Sequence, residues 1–95
     1  MKGANAVQNP GDPILLPTHL RSYTAGAAEV DAEGRTLGEV LADLEARHPG
    51  LRVRIVDEQD RIRPHVKCYV GSEQARDLGA VVDGEVHILA ALSGG

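Results

Sequence analysis

The chain reads as a single α+β domain, one helix on one face of a mixed sheet. Three observations predict it. Only one segment, Thr36–His48, carries a helical apolar stripe between recognisable start and stop signals. Short alternating segments lie on both sides of it, bounded by Gly, Pro and Asp-Gly turn signals. The length, 95 residues, holds one domain.

Residues 1–13, MKGANAVQNPGDP, are rich in Asn, Gly and Pro and have no period, so they read as a flexible N-terminal extension. The ordered domain is expected to span 14–91, followed by a tail, 92–95. Ile14–Leu20 reads as the first strand, with Pro17 placing an edge or bulge in it. Tyr23–Ala28, with Gly26, reads as a turn, and Ala28–Ala32 as a second strand completing a hairpin.

The helix opens on Thr36-Leu37-Gly38-Glu39, a capping box in which Glu39 is expected to reach back to the cap. Leu37, Val40, Leu41 and Leu44 fall on one face. Arg47 and His48 place positive charge in the last turn, and Pro49-Gly50 ends the helix.

Leu51–Val56 alternates between apolar residues and arginines, which favours a strand over a turn of helix. Asp57–Arg63 is a charged loop. His65–Val70 alternates as a strand, Gly71-Ser72 is a two-residue turn, and Ser72–Ala75 returns. Asp83-Gly84 marks another turn before a last strand, Glu85–Ala90. First and last strands are expected side by side near the sheet centre, leaving the chain's end at the rim.

Composition narrows the function. Ten basic and fourteen acidic residues leave a net charge of −4, which demotes nucleic-acid binding. The longest apolar run is five residues, Ile88–Leu92, against about 20 for a membrane span. Residues 1–13 carry no signal-peptide pattern, so the default compartment is the cytoplasm. The single cysteine, Cys68, excludes an internal disulfide. It reads as a small buried hydrophobe rather than a nucleophile. The four histidines, His19, His48, His65 and His87, have no ligand spacing, so no metal site is expected. The core must be aliphatic, from ten Leu, ten Val and four Ile, because there is no Phe or Trp. A deep active site is hard to enclose in so small a body. Nucleophile motifs and phosphate-binding loops are absent. The basic cluster of Arg47, Arg52, Arg54, Arg61, Arg63 and Lys67 is interrupted by Asp57, Glu58 and Asp60. A solvated mixed surface is favoured over a docking patch for an acidic partner.

The C-terminus stands apart. Gly94-Gly95 follows directly on an apolar strand. At the average glycine frequency two terminal glycines arise in roughly 0.5% of chains. Glycine lets another backbone approach closely, and it costs entropy to order. Such a tail suits a narrow channel in another protein. The reactive group there is the Gly95 α-carboxylate, which acylates nothing until activated.

These residues together resemble the ubiquitin-like sulfur carrier proteins of the ThiS and MoaD family. The resemblance spans about Ile14–Gly95. It is carried by Leu20-Arg21 with Gly26, by Thr36-Leu37-Gly38-Glu39-Val40-Leu41, and by Leu44-Glu45 with Pro49-Gly50-Leu51. Val66, Tyr69-Val70, Asp83-Gly84 and Gly94-Gly95 complete it. LRSYTAG, LADLEARHPGL and HVKCYVGSEQAR look most like the subgroup serving bacterial cysteine synthesis.

The resemblance implies a β-grasp fold and a carrier without catalysis of its own. An E1-like adenylating enzyme of the MoeB or ThiF type would use ATP to activate Gly95, and sulfur transfer would leave a thiocarboxylate. Leu92, Ser93 and Gly94 would lie in the partner's channel, and the exposed sheet face near the tail would dock. The acceptor would be a cysteine synthase, a thiazole-synthase-like enzyme or the large subunit of molybdopterin synthase. No bound cofactor is implied. The alternatives are the small subunit of molybdopterin synthase, a ubiquitin-like modifier conjugated through Gly95, and a plain interaction domain.

Overall fold

A computed structural model describes residues 11–90. The N-terminal extension up to residue 10 and the tail, 92–95, lie outside the described residues. In order, the elements are β1 (Asp12–Leu15), a 3-10 helix (Thr18–Thr24), β2 (Glu29–Ala32) and α1 (Leu37–Arg47). A four-residue turn of helix, α2 (Arg52–Ile55), then leads to β3 (Val66–Val70), β4 (Glu73–Ala75) and β5 (Val86–Ala90). One mixed sheet runs in the order β2-β1-β5-β3-β4. The first and last strands are parallel neighbours at its centre, through Ile14↔Val86 and Leu15↔His87. The other pairings are antiparallel.

The first strand differs from its sequence reading at both ends. It begins at Asp12, so Asp12 and Pro13 pair with Ala32 and Asp31 and belong to the sheet. It stops at Leu15 rather than Leu20. Pro17 has no N–H for a ladder. Leu20 instead donates to the Pro17 carbonyl at 3.0 Å and starts the 3-10 turn. That turn is held by the buried Thr24, whose hydroxyl oxygen lies 3.0 Å from the Arg21 carbonyl and 2.8 Å from that of Ala27.

α1 forms where its pattern places it. The Thr36 Oγ1 accepts from Glu39 N–H at 3.3 Å. The Glu39 carboxylate reaches one residue further back than a capping box requires, accepting from Arg35 N–H at 2.8 Å. Two more free amides of the first turn are satisfied from a distance: Leu37 donates to the Ala80 carbonyl and Gly38 to that of Leu78, each at 2.9 Å. Gly38 permits this approach, because a Cβ there would sit 3.3 Å from the Leu78 Cβ. Leu37, Val40, Leu41 and Leu44 are fully buried against the sheet.

Leu51–Val56 folds as a helical turn, not a strand. Leu51, Ile55 and Val56 all turn inward, while Val53, which alternation would bury, is 53% exposed. Glu45 builds the turn. Its carboxylate accepts from Gly50 N–H and from Arg52 N–H, each at 2.9 Å. These bonds hold its pKa below the ordinary glutamate value, the Gly50 amide most strongly, then that of Arg52. In the charged loop, Asp57 accepts from the amides of Gln59 and Arg61. At the β3–β4 turn Gly71 takes φ +60° and Ser72 has no positive φ, the pattern of a type II′ hairpin.

The inward faces carry Ile14, Ala32, Val66, Cys68, Ala75, Val86 and Ile88, which join the α1 leucines in one core. Cys68 is fully buried, as its alternating strand implies. Burial pushes its thiol up to about 11.

Three outcomes follow from this packing. Leu44→Ala should lower unfolding free energy by about 2–5 kcal/mol in urea titration, since the fully buried site leaves a cavity. Cys68 should resist an aromatic disulfide reagent at pH 8 in the folded protein and react fully in urea; fast native labelling would contradict the packing. The stabilisation from Glu45, whose folded pKa is depressed, should be complete above the ordinary glutamate value near 4.5 and lost as pH falls below it. Glu45→Gln should therefore be less stable at neutral pH and show a flatter acid limb in melting temperature against pH.

Candidate functional site

One sheet face is covered by α1; the other is open. On the open face the register aligns Glu29, Leu15, His87, Tyr69 and Gln74 in one row across all five strands. Leu89 and Lys67 form the next row toward the chain end. Leu89 is 51% exposed, and Leu15, Tyr69 and His87 are half-buried. The centre of the face is therefore apolar, with Leu15, Tyr69 and Leu89 around one imidazole. Glu29 and Lys67 stand at its margins. Exposed apolar groups gathered this way mark contact surfaces more often than isolated ones do.

His87 faces outward, as its strand position between Val86 and Ile88 implies. Its Nε2 lies 2.6 Å from Glu85 Oε2, two residues back on the same face. This pair fixes the ring in the centre of the row. Two shallow cavities flank it. One, of about 280 Å³, lies between Tyr69, Gly71, His87 and Leu89. The other, of about 470 Å³, opens where β1 ends, between Leu15, Pro17, His19 and Arg21 on one side and His87 and Leu89 on the other. Arg21 is held there by its Nε, which donates to the Leu16 carbonyl at 3.1 Å.

The described chain ends at Ala90, paired with Val66 at the limit of β5. Leu92, Ser93, Gly94 and Gly95, the residues singled out in the sequence, lie outside the described residues. The structure supplies the platform from which they continue. Of the face residues, His87 reads as outward-facing from its place between Val86 and Ile88, while Leu15, Tyr69 and Leu89 were not singled out in the sequence. The signal lay in the alternation: Leu15, Tyr69, His87 and Leu89 occupy the non-core positions of their strands.

The other candidates resolve simply. No group of three or more potential metal ligands occurs among the described residues. His48 caps the C-terminus of α1. No described helix is long and apolar enough to cross a membrane. Most of the arginine cluster is occupied locally. Arg47 pairs with Asp43 at 2.8 Å, Arg52 with Asp60 at 3.0 Å, and Arg61 approaches Asp57 at 4.0 Å. Arg54 Nε donates to the Tyr23 hydroxyl at 2.7 Å, and Arg63 Nε to the Val53 carbonyl at 2.8 Å. These are solvated contacts that add little to stability, and they fit a mixed surface.

No protein-family model matches the chain. Individual relatives do. The sulfur carrier protein CysO of Mycobacterium tuberculosis is 40% identical over 89 residues, covering 86% of this chain and 96% of its own length. CysO of Mycobacterium bovis matches equally. A chain in the crystal structure of the Amycolatopsis orientalis BexX/CysO complex superposes with a TM-score of 0.81 at 33% identity, covering 90% of this chain and 100% of that one. The crystal structure of M. tuberculosis CysO gives 0.77 at 35% identity, covering 86% and 100%. SAMP1 of Haloferax volcanii gives 0.67 at 28% identity, covering 87% and 97%. The open sheet face, the single capping helix and the centrally placed last strand are thus a β-grasp domain, and the chain belongs to the CysO family of ubiquitin-like sulfur carrier proteins.

Proposed function

We propose that this carrier holds sulfur as a thiocarboxylate on Gly95 and acts as a protein co-substrate for partner enzymes. The observation that supports it is the joining of a CysO-like fold to a strand that runs from the sheet centre toward Gly94-Gly95. An E1-like adenylating enzyme supplies ATP and the catalytic groups. A Gly95 carboxylate oxygen attacks the α-phosphorus of ATP, and pyrophosphate leaves. Hydrosulfide or its equivalent then attacks the acyl carbon; a C–S bond forms, the C–O bond to AMP breaks, and AMP leaves. The products are a thiocarboxylate and AMP, with no change of oxidation state. Leu92, Ser93 and Gly94 thread the partner's channel, where the missing Cβ of Gly94 lets the walls close on the backbone.

The carrier's own contribution is recognition. Leu15, Tyr69, His87 and Leu89 offer a partner an apolar centre with a polar margin, the usual anatomy of a contact surface. Cys68 cannot relay the sulfur, since it lies in the core with its thiol held protonated. The BexX/CysO complex supports docking of such carriers on a partner protein. The CysO relatives favour cysteine or a related sulfur metabolite as product, with a cysteine synthase or thiazole-synthase-like enzyme as acceptor. The function sits in the cytoplasm with those enzymes. A second reading is favoured by SAMP1, a small archaeal modifier protein of the same fold: conjugation of Gly95 to target lysines.

Incubation with ATP, an adenylating enzyme from the same genome and sulfide should exchange one oxygen for one sulfur in the intact mass. Deleting Gly94 and Gly95 should abolish the exchange. An unchanged mass with an enzyme that activates a known carrier would overturn the proposal. Branched Gly-Gly remnants on lysines of cellular proteins would select the modifier reading.

A further inference from the structure

The parallel contact at the sheet centre is short. β1 and β5 share two residue pairs, whereas β5 and β3 share five. β1 stops ahead of Pro17, which has no N–H to give; the last bond in its direction, Leu16 N–H to the Ala28 carbonyl at 2.9 Å, is on the β2 side. Beyond His87, β5 therefore runs on without a strand on its β1 side. Among the described residues, Leu89 and Ala90 pair only with Lys67 and Val66 of β3. The groove of about 470 Å³ occupies the gap.

Among the described residues that line it, Arg21 carries the one formal charge, beside His19, His87, Leu15, Pro17 and Leu89, and no carboxylate is among them. This contrasts with a chain whose net charge is −4. Arg21 is half-buried and positioned by its Nε bond to Leu16, and it pairs with no carboxylate among the described residues. Its remaining guanidinium donors are therefore held in place without an anion. Such a preset fork suits a carboxylate, which it can bind through two parallel hydrogen bonds.

Resting on the carrier reading above, we infer that this groove receives an extended, carboxylate-bearing segment of the adenylating enzyme. The segment lies along the unpartnered side of Leu89 and Ala90, its main chain adding to the sheet edge. An Asp or Glu side chain meets Arg21, with His19 at the rim, and an apolar side chain rests between Leu15 and Leu89. Main-chain pairing gives affinity and the carboxylate sets direction. The tail's course into the enzyme is thereby fixed at its root, five residues before Gly95. The groove adjoins the apolar row around Tyr69 and shares Leu15, His87 and Leu89 with it.

ATP–pyrophosphate exchange by the adenylating enzyme, with the full chain as varied substrate, tests this. Arg21→Gln removes the cation but also the Leu16 bond, so exposed Thr18→Glu and His19→Glu, which add a carboxylate at the rim, are measured beside it. Each variant is first shown to melt as the wild type does. All three should raise KM by about tenfold or more, about 1.4 kcal/mol, with kcat unchanged. The wild-type KM should rise with salt, and that of Thr18→Glu should rise less. Arg61→Gln, in the loop between Val56 and Ile62, should match the wild type. KM values within twofold of the wild type in both Glu variants would overturn the inference, as would a loss confined to kcat. A wild-type chain that supports no exchange would overturn the carrier reading itself.

Discussion

The parallel pairing of β1 with β5 is the contact on which the molecule depends. Without it the chain is two separate ribbons, the β1–β2 hairpin and the three strands β5-β3-β4. Neither could bury its apolar face alone. The contact joins residues far apart in sequence, so its loop-closure entropy must be offset by packing rather than by hydrogen bonds, of which two residue pairs supply few. That packing is Ile14, Val86 and Ile88 in one cluster with Leu37, Val40, Leu41 and Leu44. Placing the last strand centrally also gives the tail a rigid base, anchored on its other side by the full length of β3.

The two sheet faces divide the labour. The inner face and the helices packed on it bury more than half of the Leu, Val and Ile residues and lock the sole thiol away. The outer face keeps a few apolar side chains at the price of solvent exposure. Between them, the 3-10 segment turns β1 aside early and opens the edge of β5. On the proposed reading, this open edge and face select the partner, and the chemistry is the partner's.

Much of this was legible in the residues. α1 announced itself by Thr36, the Leu37–Leu44 stripe and Pro49-Gly50, all local signals whose physical cause is local. The hairpins at Gly71-Ser72 and the central position of the last strand followed from alternation and turn chemistry. Leu51–Val56 misled because Leu51, Val53 and Ile55 alternate. What decided for helix was Glu45, whose carboxylate binds amides of Gly50 and Arg52 across the intervening turn, a tertiary arrangement that periodicity cannot register. The 3-10 segment Thr18–Thr24 was hidden for a similar reason, since its hydroxyl–carbonyl bonds have no apolar period. For the candidate site, the Gly-Gly end is a reading of the sequence whose residues lie outside the described ones, while the face could be read only as a property of a sheet. Which outward residues become neighbours depends on register, and register is set by the whole fold.

The scarcity of aromatics has an experimental use. The chain has two tyrosines and no tryptophan. Tyr23 is tied to Arg54 by its hydroxyl, while Tyr69 stands beside His87 on the open face. Near-ultraviolet emission from the unlabelled protein thus arises from two fluorophores in unlike surroundings, and a phenylalanine at position 23 would leave a single intrinsic reporter on the open sheet face. Encounters with an enzyme could then be timed in a stopped-flow instrument, provided the enzyme's own tryptophans are kept dark by excitation or replacement.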